Sequence, residues 1–150
     1  MLVRSLEGEE LYNLLPHAGD MRLIDKVVDW DETRIQCQTS SHRNSNHPLR
    51  SNGQLSAVHA AEYGAQTMAL HGGLLARQSG EQQPGGYLVS LRGVKLHIRY
   101  LDELDAPLQI QATQLLADSG NMLYDFVLKT ESVLVAEGRA AVIVHSEENQ

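Results

Sequence analysis

Apolar residues recur along this chain with two different periods, and the changes between them divide it into elements. Residues 8–15 read as a short helix ended by the Leu15-Pro16 step, because the residue before a proline is pushed out of helical geometry. Residues 21–31 are rich in strand formers. In 33–39, Ile35, Cys37 and Thr39 alternate with Arg34, Gln36 and Gln38, so both stretches predict strands joined at Asp31-Glu32. Residues 40–52 are polar and without period, which predicts a loop. The period then becomes helical over 54–79, a stretch without proline that stops at Gly80 with Arg77 in its last turn. Its apolar positions, Ala57, Val58, Ala60, Ala61, Gly64, Ala65, Ala69, Gly72 and Gly73 among them, cover most of the circumference and are nearly all small. Such a helix is enclosed by other structure that approaches closely.

After a loop at 81–86 only strand patterns remain. Tyr87, Val89 and Leu91 alternate on odd positions, and beyond Arg92-Gly93 the apolar set moves to even ones: Val94, Leu96, Ile98, Tyr100. A slip of one residue at a glycine predicts a β-bulge. Strands follow at 107–116, 122–130 and 133–144, the first two joined by a turn at Asp118-Ser-Gly-Asn121, and the last apolar on both faces as a central strand is. Consecutive hairpins imply an antiparallel sheet, and one helix buried on most sides requires that sheet to wrap around it. The expected fold is therefore α+β, the hot-dog architecture, in a single domain over residues 1–150.

Composition narrows the function. A chain of 150 residues with 42% apolar and 21% charged residues builds an ordinary one-domain core. Its lone cysteine, Cys37, excludes an internal disulfide framework and a cysteine-based zinc cage, and its place in a strand assigns it to the core. The net charge of −7, the absence of any basic block and the 5% aromatic content argue against a nucleic-acid binder. The N-terminus turns acidic at Glu7, Glu9 and Glu10 before a signal-peptide core forms, and no run approaches a membrane span, so the expected compartment is the cytoplasm.

Two ionisable residues stand out. Glu62 lies in the enclosed helix with Val58, Ala61 and Ala65 as its helical neighbours, where a carboxyl group loses hydration and becomes suited to proton transfer. Gln66, one turn on, is placed to bond it or a ligand. His47 sits in the polar loop before Pro48, and a histidine is the natural base near neutral pH. His59 stands three residues before Glu62, but without a second such pair it makes a poor metal site. His17, His42, His71 and His97 have no partner at a diagnostic spacing.

These residues sit in stretches that resemble the hot-dog 3-hydroxyacyl-[acyl-carrier-protein] dehydratases. The run Leu14-Leu-Pro-His-Ala-Gly-Asp-Met-Arg-Leu-Ile-Asp-Lys-Val-Val28 resembles the family's opening strand. His47-Pro48, with Glu62 fifteen positions later and Gln66 beyond, resembles its loop histidine and helix carboxylate, and Arg92-Gly-Val-Lys-Leu-His-Ile-Arg99 its strand after the helix. Against the family pattern, His47-Pro48-Leu49 stands for His-Phe-Pro, Ser51-Asn-Gly-Gln54 for Pro-Gly-Val, and Asp102-Glu-Leu-Asp105 for Pro-Gly-Asp. Those departures look like the divergent branch associated with aryl-polyene-type biosynthesis.

The resemblance implies that His47 removes a proton beside the thioester carbonyl, and that Glu62 protonates the departing hydroxyl. It implies that an amide at the helix start, assigned to Gly53, polarises the carbonyl while Gln66 assists in binding. It also implies a dimer, homomeric or with a related hot-dog subunit, joined along the 87–100 strand, and no metal or redox cofactor. An acidic acyl carrier protein would dock on Arg92, Lys95 and Arg99, with Arg50 and Arg77 as further candidates. Two other readings stay open: a hot-dog thioesterase in which Glu62 activates water, and a non-catalytic partner of a heterodimeric dehydratase.

Overall fold

The computed structural model describes residues 5–15, 21–80, 85–118 and 120–145. His17 and the rest of 16–20, most of the expected 81–86 loop, and Ser119 of the expected turn lie outside them. The chain runs β1 (Leu6–Glu7), α1 (Glu9–Tyr12), β2 (Lys26–Trp30), β3 (Arg34–Thr39), α2 (Ala60–Gln78), β4 (Gly85–Leu96), β5 (Leu108–Asp118), β6 (Asn121–Lys129) and β7 (Leu134–His145). The strands form one antiparallel seven-stranded sheet in the order β1-β2-β3-β5-β6-β7-β4. Helix α2 packs across β3, β5 and β6. This is the hot-dog architecture, with one difference from full enclosure: Val58, Ala61, Glu62, Ala65, Ala69 and Gly72 leave a strip of the helix region open or half-open.

Two elements begin later than their patterns predict, for identifiable reasons. Residues 21–25 do not form a strand, because side chains take the place of ladder partners. Gln66 Oε1 accepts the Leu23 amide (2.9 Å), Gln66 Nε2 donates to the Met21 carbonyl (2.6 Å), and the Thr39 and Ser41 hydroxyls donate to the Leu23 carbonyl (2.5 and 2.7 Å). Helix α2 is delayed by a closed turn at 51–54, where Asn52 and Gly53 both have positive φ (54° and 76°), as a type I′ turn requires. The Ser56 hydroxyl then caps the Val58 amide (3.2 Å), and a 3-10 turn over Ala57–His59 leads into the α-helix.

The register slip read from the sequence lies between Arg92 and Lys95, with Gly93 at φ 58°. Strand β7 is paired on both sides, and Ser79-Gly80 ends α2 with Gly80 at φ 73°. Cys37 is fully buried core, where burial pushes its thiol up to about 12. The small residues of α2 admit one ring closely: a methyl group added at Gly64 would stand 3.0 Å from Cδ2 of Phe126, and one at Gly138 of β7 would stand 3.1 Å from its Cζ.

Two histidines are wholly buried in neutral form. His71 Nε2 donates to the Asp31 carbonyl (2.8 Å) while the Tyr124 hydroxyl donates to its Nδ1 (2.7 Å). His42 Nε2 is shared between the Leu104 and Ala106 carbonyls (3.0 and 3.1 Å), and its Nδ1 meets no partner among the described residues. Burial holds both rings below the ordinary histidine range. As pH falls through about 6.5, the unfolded chain therefore takes up protons that the folded chain refuses, and stability should drop by up to about 1.4 kcal/mol per pH unit for each ring. Urea unfolding from about pH 7.5 down to about pH 5.5 measures this, and a stability that is flat or rises on acidification would contradict it.

Candidate active site

The 40–54 segment is held by its own backbone and one arginine. A 3-10 turn over Ser41–Arg43 leads to Asn44, whose side chain accepts the Asn46 amide (2.9 Å) and whose carbonyl accepts the His47 amide (3.1 Å). Arg50 then donates to three carbonyls: Asn44 (2.8 Å), Gly53 (2.7 Å) and His42 (3.1 Å). It also lies 3.9 Å from Asp102, which accepts the Leu55 amide (2.7 Å) just ahead of the helix. Arg50, a candidate for carrier docking, is thus largely buried and spent within the fold.

His47 lies 5% exposed in this framework. Pro48 has no N–H, so the first amide after the histidine is that of Leu49, which turns back and donates to His47 Nδ1 (3.1 Å). The ring proton of the neutral imidazole therefore sits on Nε2, which donates to the Tyr63 hydroxyl (3.1 Å). Tyr63 donates to Ser41 Oγ (2.9 Å), and Ser41 to the Leu23 carbonyl. Tyr63 is fully buried, and burial pushes its hydroxyl up to about 12, so it stays protonated. Tyr63 and Ser41 were not singled out from the sequence. The available signal was a bulky aromatic placed among alanines and glycines, directly after the candidate carboxyl group.

Glu62 occupies the first turn of α2, half-buried on the open strip, one helical step (about 100°) around from Tyr63. Gln66 Nε2 approaches its Oε1 at 3.3 Å. Gln66 itself is fully buried, and both its amide protons and its carbonyl oxygen are engaged by Glu62, Met21 and Leu23. It braces the carboxyl group and the 21–23 segment together. Gly53, expected at the helix start, lies instead in the exposed 51–54 turn ahead of it, because the helix opens only after Ser56.

Of the basic residues, Arg92 and Lys95 lie exposed on β4, and Arg99 is exposed in the segment that bonds the start of the helix region through its carbonyl to Ala57 (2.9 Å). Arg77 lies at the far end of α2, 3.7 Å from Glu10.

A family model described as the ApeP dehydratase, ApeP-like, matches residues 9–150. This chain belongs to the ApeP-like dehydratase family. Among solved structures, the dehydratase heterocomplex ApeI:P from Xenorhabdus doucetiae is similar, with a TM-score of 0.81 at 20% identity over 92% of each chain. A thioesterase from Haemophilus influenzae gives 0.62 at 15% identity, over 97% of this chain and 96% of that one. A hypothetical thioesterase from Streptococcus pneumoniae, solved with coenzyme A, gives 0.60 at 12% identity, over 80% of this chain and 84% of that one. At these identities the likeness carries the hot-dog fold. No curated protein matches the sequence significantly. For an ApeP-like dehydratase the geometry has one unexpected element: the loop histidine has its lone pair turned onto a backbone amide.

Proposed function

We propose that this chain works as one subunit of a dehydratase that converts a 3-hydroxyacyl thioester, carried on acyl carrier protein, into the 2-enoyl thioester and water. The reaction serves polyene-type or fatty-acid biosynthesis in the cytoplasm. The observation that carries the reading is Glu62, a half-buried carboxyl group braced by Gln66 on the open strip of α2. A base takes the proton from the carbon beside the carbonyl, and the new double bond forms as the carbon–oxygen bond breaks. Protonated Glu62 gives its proton to the departing hydroxyl, which leaves as water. No helix among the described residues is long and apolar enough to cross a membrane.

Assembly with a related hot-dog subunit is supported by β4. This twelve-residue strand pairs only with β7 among the described strands, and Leu91, Val94 and Leu96 are exposed along it. An unpaired strand edge of that length with apolar side chains is a template for a second chain. The heterocomplex described for the Xenorhabdus doucetiae dehydratase favours a related but different subunit over a second copy. Arg92, Lys95 and Arg99 offer positive charge to the carrier protein on an otherwise acidic chain. The thioesterase reading has only the shared fold behind it. The supporting-subunit reading has a specific observation, the capped ring of His47.

Mass spectrometry of a 3-hydroxyacyl carrier protein, incubated with the chain and a hot-dog partner subunit, tests the reaction. Loss of one water with the thioester intact is the expected result. Release of carrier thiol without any enoyl product would establish a thioesterase instead.

A further inference from the structure

We infer that Asn52-Gly53, in the turn ahead of α2, is a site of spontaneous covalent modification in which the asparagine loses ammonia and becomes mainly isoaspartate. The change lengthens the main chain where Arg50 grips it and loosens the 40–54 segment.

The turn itself favours the labile pair. Two consecutive residues with positive φ, 54° at Asn52 and 76° at Gly53, select asparagine or aspartate followed by glycine, or two glycines. Glycine leaves its own nitrogen unshielded, and a methyl group added at Gly53 would meet only open space. Both reacting groups are unengaged. Among the described residues nothing hydrogen-bonds the Asn52 side chain or the Gly53 N–H, and both residues are exposed. The main-chain bonds of the turn lie on either side, from the Ser51 N–H to the Gln54 carbonyl (2.8 Å) and from the Gln54 N–H to the Ser51 carbonyl (3.0 Å). Bonds in so exposed a turn open at little cost, which frees the backbone of Asn52 to rotate until its side-chain carbonyl carbon meets the Gly53 nitrogen.

The Gly53 nitrogen forms a bond to Cγ of Asn52, and the side-chain nitrogen leaves as ammonia with the proton that the glycine nitrogen gives up. Water then cleaves the five-membered imide at one of its two carbonyl groups. Cleavage at Cγ gives aspartate. Cleavage at the main-chain carbonyl gives isoaspartate, in which the chain runs through Cβ and Cγ and gains one carbon. Either product replaces a neutral amide with a carboxylate. A two-residue loop closed by the Ser51–Gln54 bridge has no slack for an added carbon, so the Gly53 carbonyl is displaced from the Arg50 guanidinium that donates to it (2.7 Å). The same guanidinium group of Arg50 holds the Asn44 and His42 carbonyls, so the segment loses one of the ties that shape it.

The test incubates the full-length chain at mildly alkaline pH and follows the peptide containing Asn52 by chromatography and mass spectrometry, with the same chain in guanidinium as the reference. The expected result is a gain of about 1 Da at Asn52, with isoaspartate in excess of aspartate, at a rate within about tenfold of the denatured chain. The aged chain should lose about 2–4 °C of Tm, as expected when a hydrogen bond from a charged group is lost in a chain of this size. Asn52→Gly keeps a residue that accepts positive φ and has no amide to lose, so it should age without that loss of Tm. Asn52→Asp adds the charge without the extra carbon, and the fresh protein should keep the wild-type Tm. Modification of the folded chain more than about tenfold slower than in guanidinium would mean that the turn protects its asparagine, and the inference is overturned. If Asn52→Gly loses the same Tm on ageing, or fresh Asn52→Asp has already lost it, the lengthened main chain is not the cause and that part of the inference is overturned.

Discussion

Replacing Phe126 by alanine should destabilise the protein by about 3–5 kcal/mol, at the upper end of what a single core residue commands. The ring is 1% exposed in the middle of β6, clasped between the helix at Gly64 and the neighbouring strand at Gly138. Both of these contact residues are glycines, which have no side chain to turn into the space left behind, and the Val94 side chain borders the same site at Gly138. The penalty grows with the volume of the cavity that remains. Urea or guanidinium unfolding measures the change, and a loss below about 1 kcal/mol would show that the clasp matters little. A paired experiment sharpens the point. Gly64→Ala puts a methyl group 3.0 Å from the ring and should destabilise the wild type. In a Phe126→Leu background the same methyl group meets a smaller neighbour and should be tolerated, giving a favourable coupling between the two sites.

Gln66→Met should act on stability and turnover together. The substitution is close in shape but removes an amide that accepts from Leu23, donates to Met21 and reaches Glu62. Two backbone groups of the 21–23 segment then lose their partner, at about 1–3 kcal/mol for each group left buried and unsatisfied. The Glu62 carboxyl group loses its brace at the same time. Dehydration by the assembled complex should fall by about tenfold to 10²-fold, as expected when an acid is displaced by a fraction of an ångström to one ångström. Full stability with full turnover would mean that Gln66 braces neither. Normal stability with lost turnover would separate the two jobs and assign Gln66 to the substrate alone.

Much of the fold is legible in the sequence because periodicity reports which face of an element is buried. The alternation around Cys37, the shift of parity at Gly93 and the helix stop at Gly80 each register a local event that one stretch of chain decides by itself. Residues 21–25 carry the same strand formers but are not a strand, because their partners are Gln66, Thr39 and Ser41, brought in from elsewhere. Helix α2 starts later than its pattern predicts for a related reason. The positive φ angles of Asn52 and Gly53 form a separate turn, and only the Ser56 cap begins the helix region.

At the site, the residue types were readable and their hydrogen-bond directions were not. Glu62 and Gln66 are one helical turn apart in any helix, so their contact follows from spacing. The state of His47 depends on the Leu49 amide folding back and on Tyr63 arriving from the helix, and spacing encodes neither event. Arg50 gave no signal of its role, since its partners are carbonyl oxygens, which every residue possesses.

That last property has a consequence for how the 40–54 segment can change. An arginine that grips main-chain oxygens at His42, Asn44 and Gly53 imposes a shape without asking for particular side chains at those places. Most positions around it are then available for substitution while the path of the chain stays put. Amino-acid drift in this stretch can therefore alter the chemistry it displays without rebuilding its scaffold. Arg50 itself is what such a segment would have to keep.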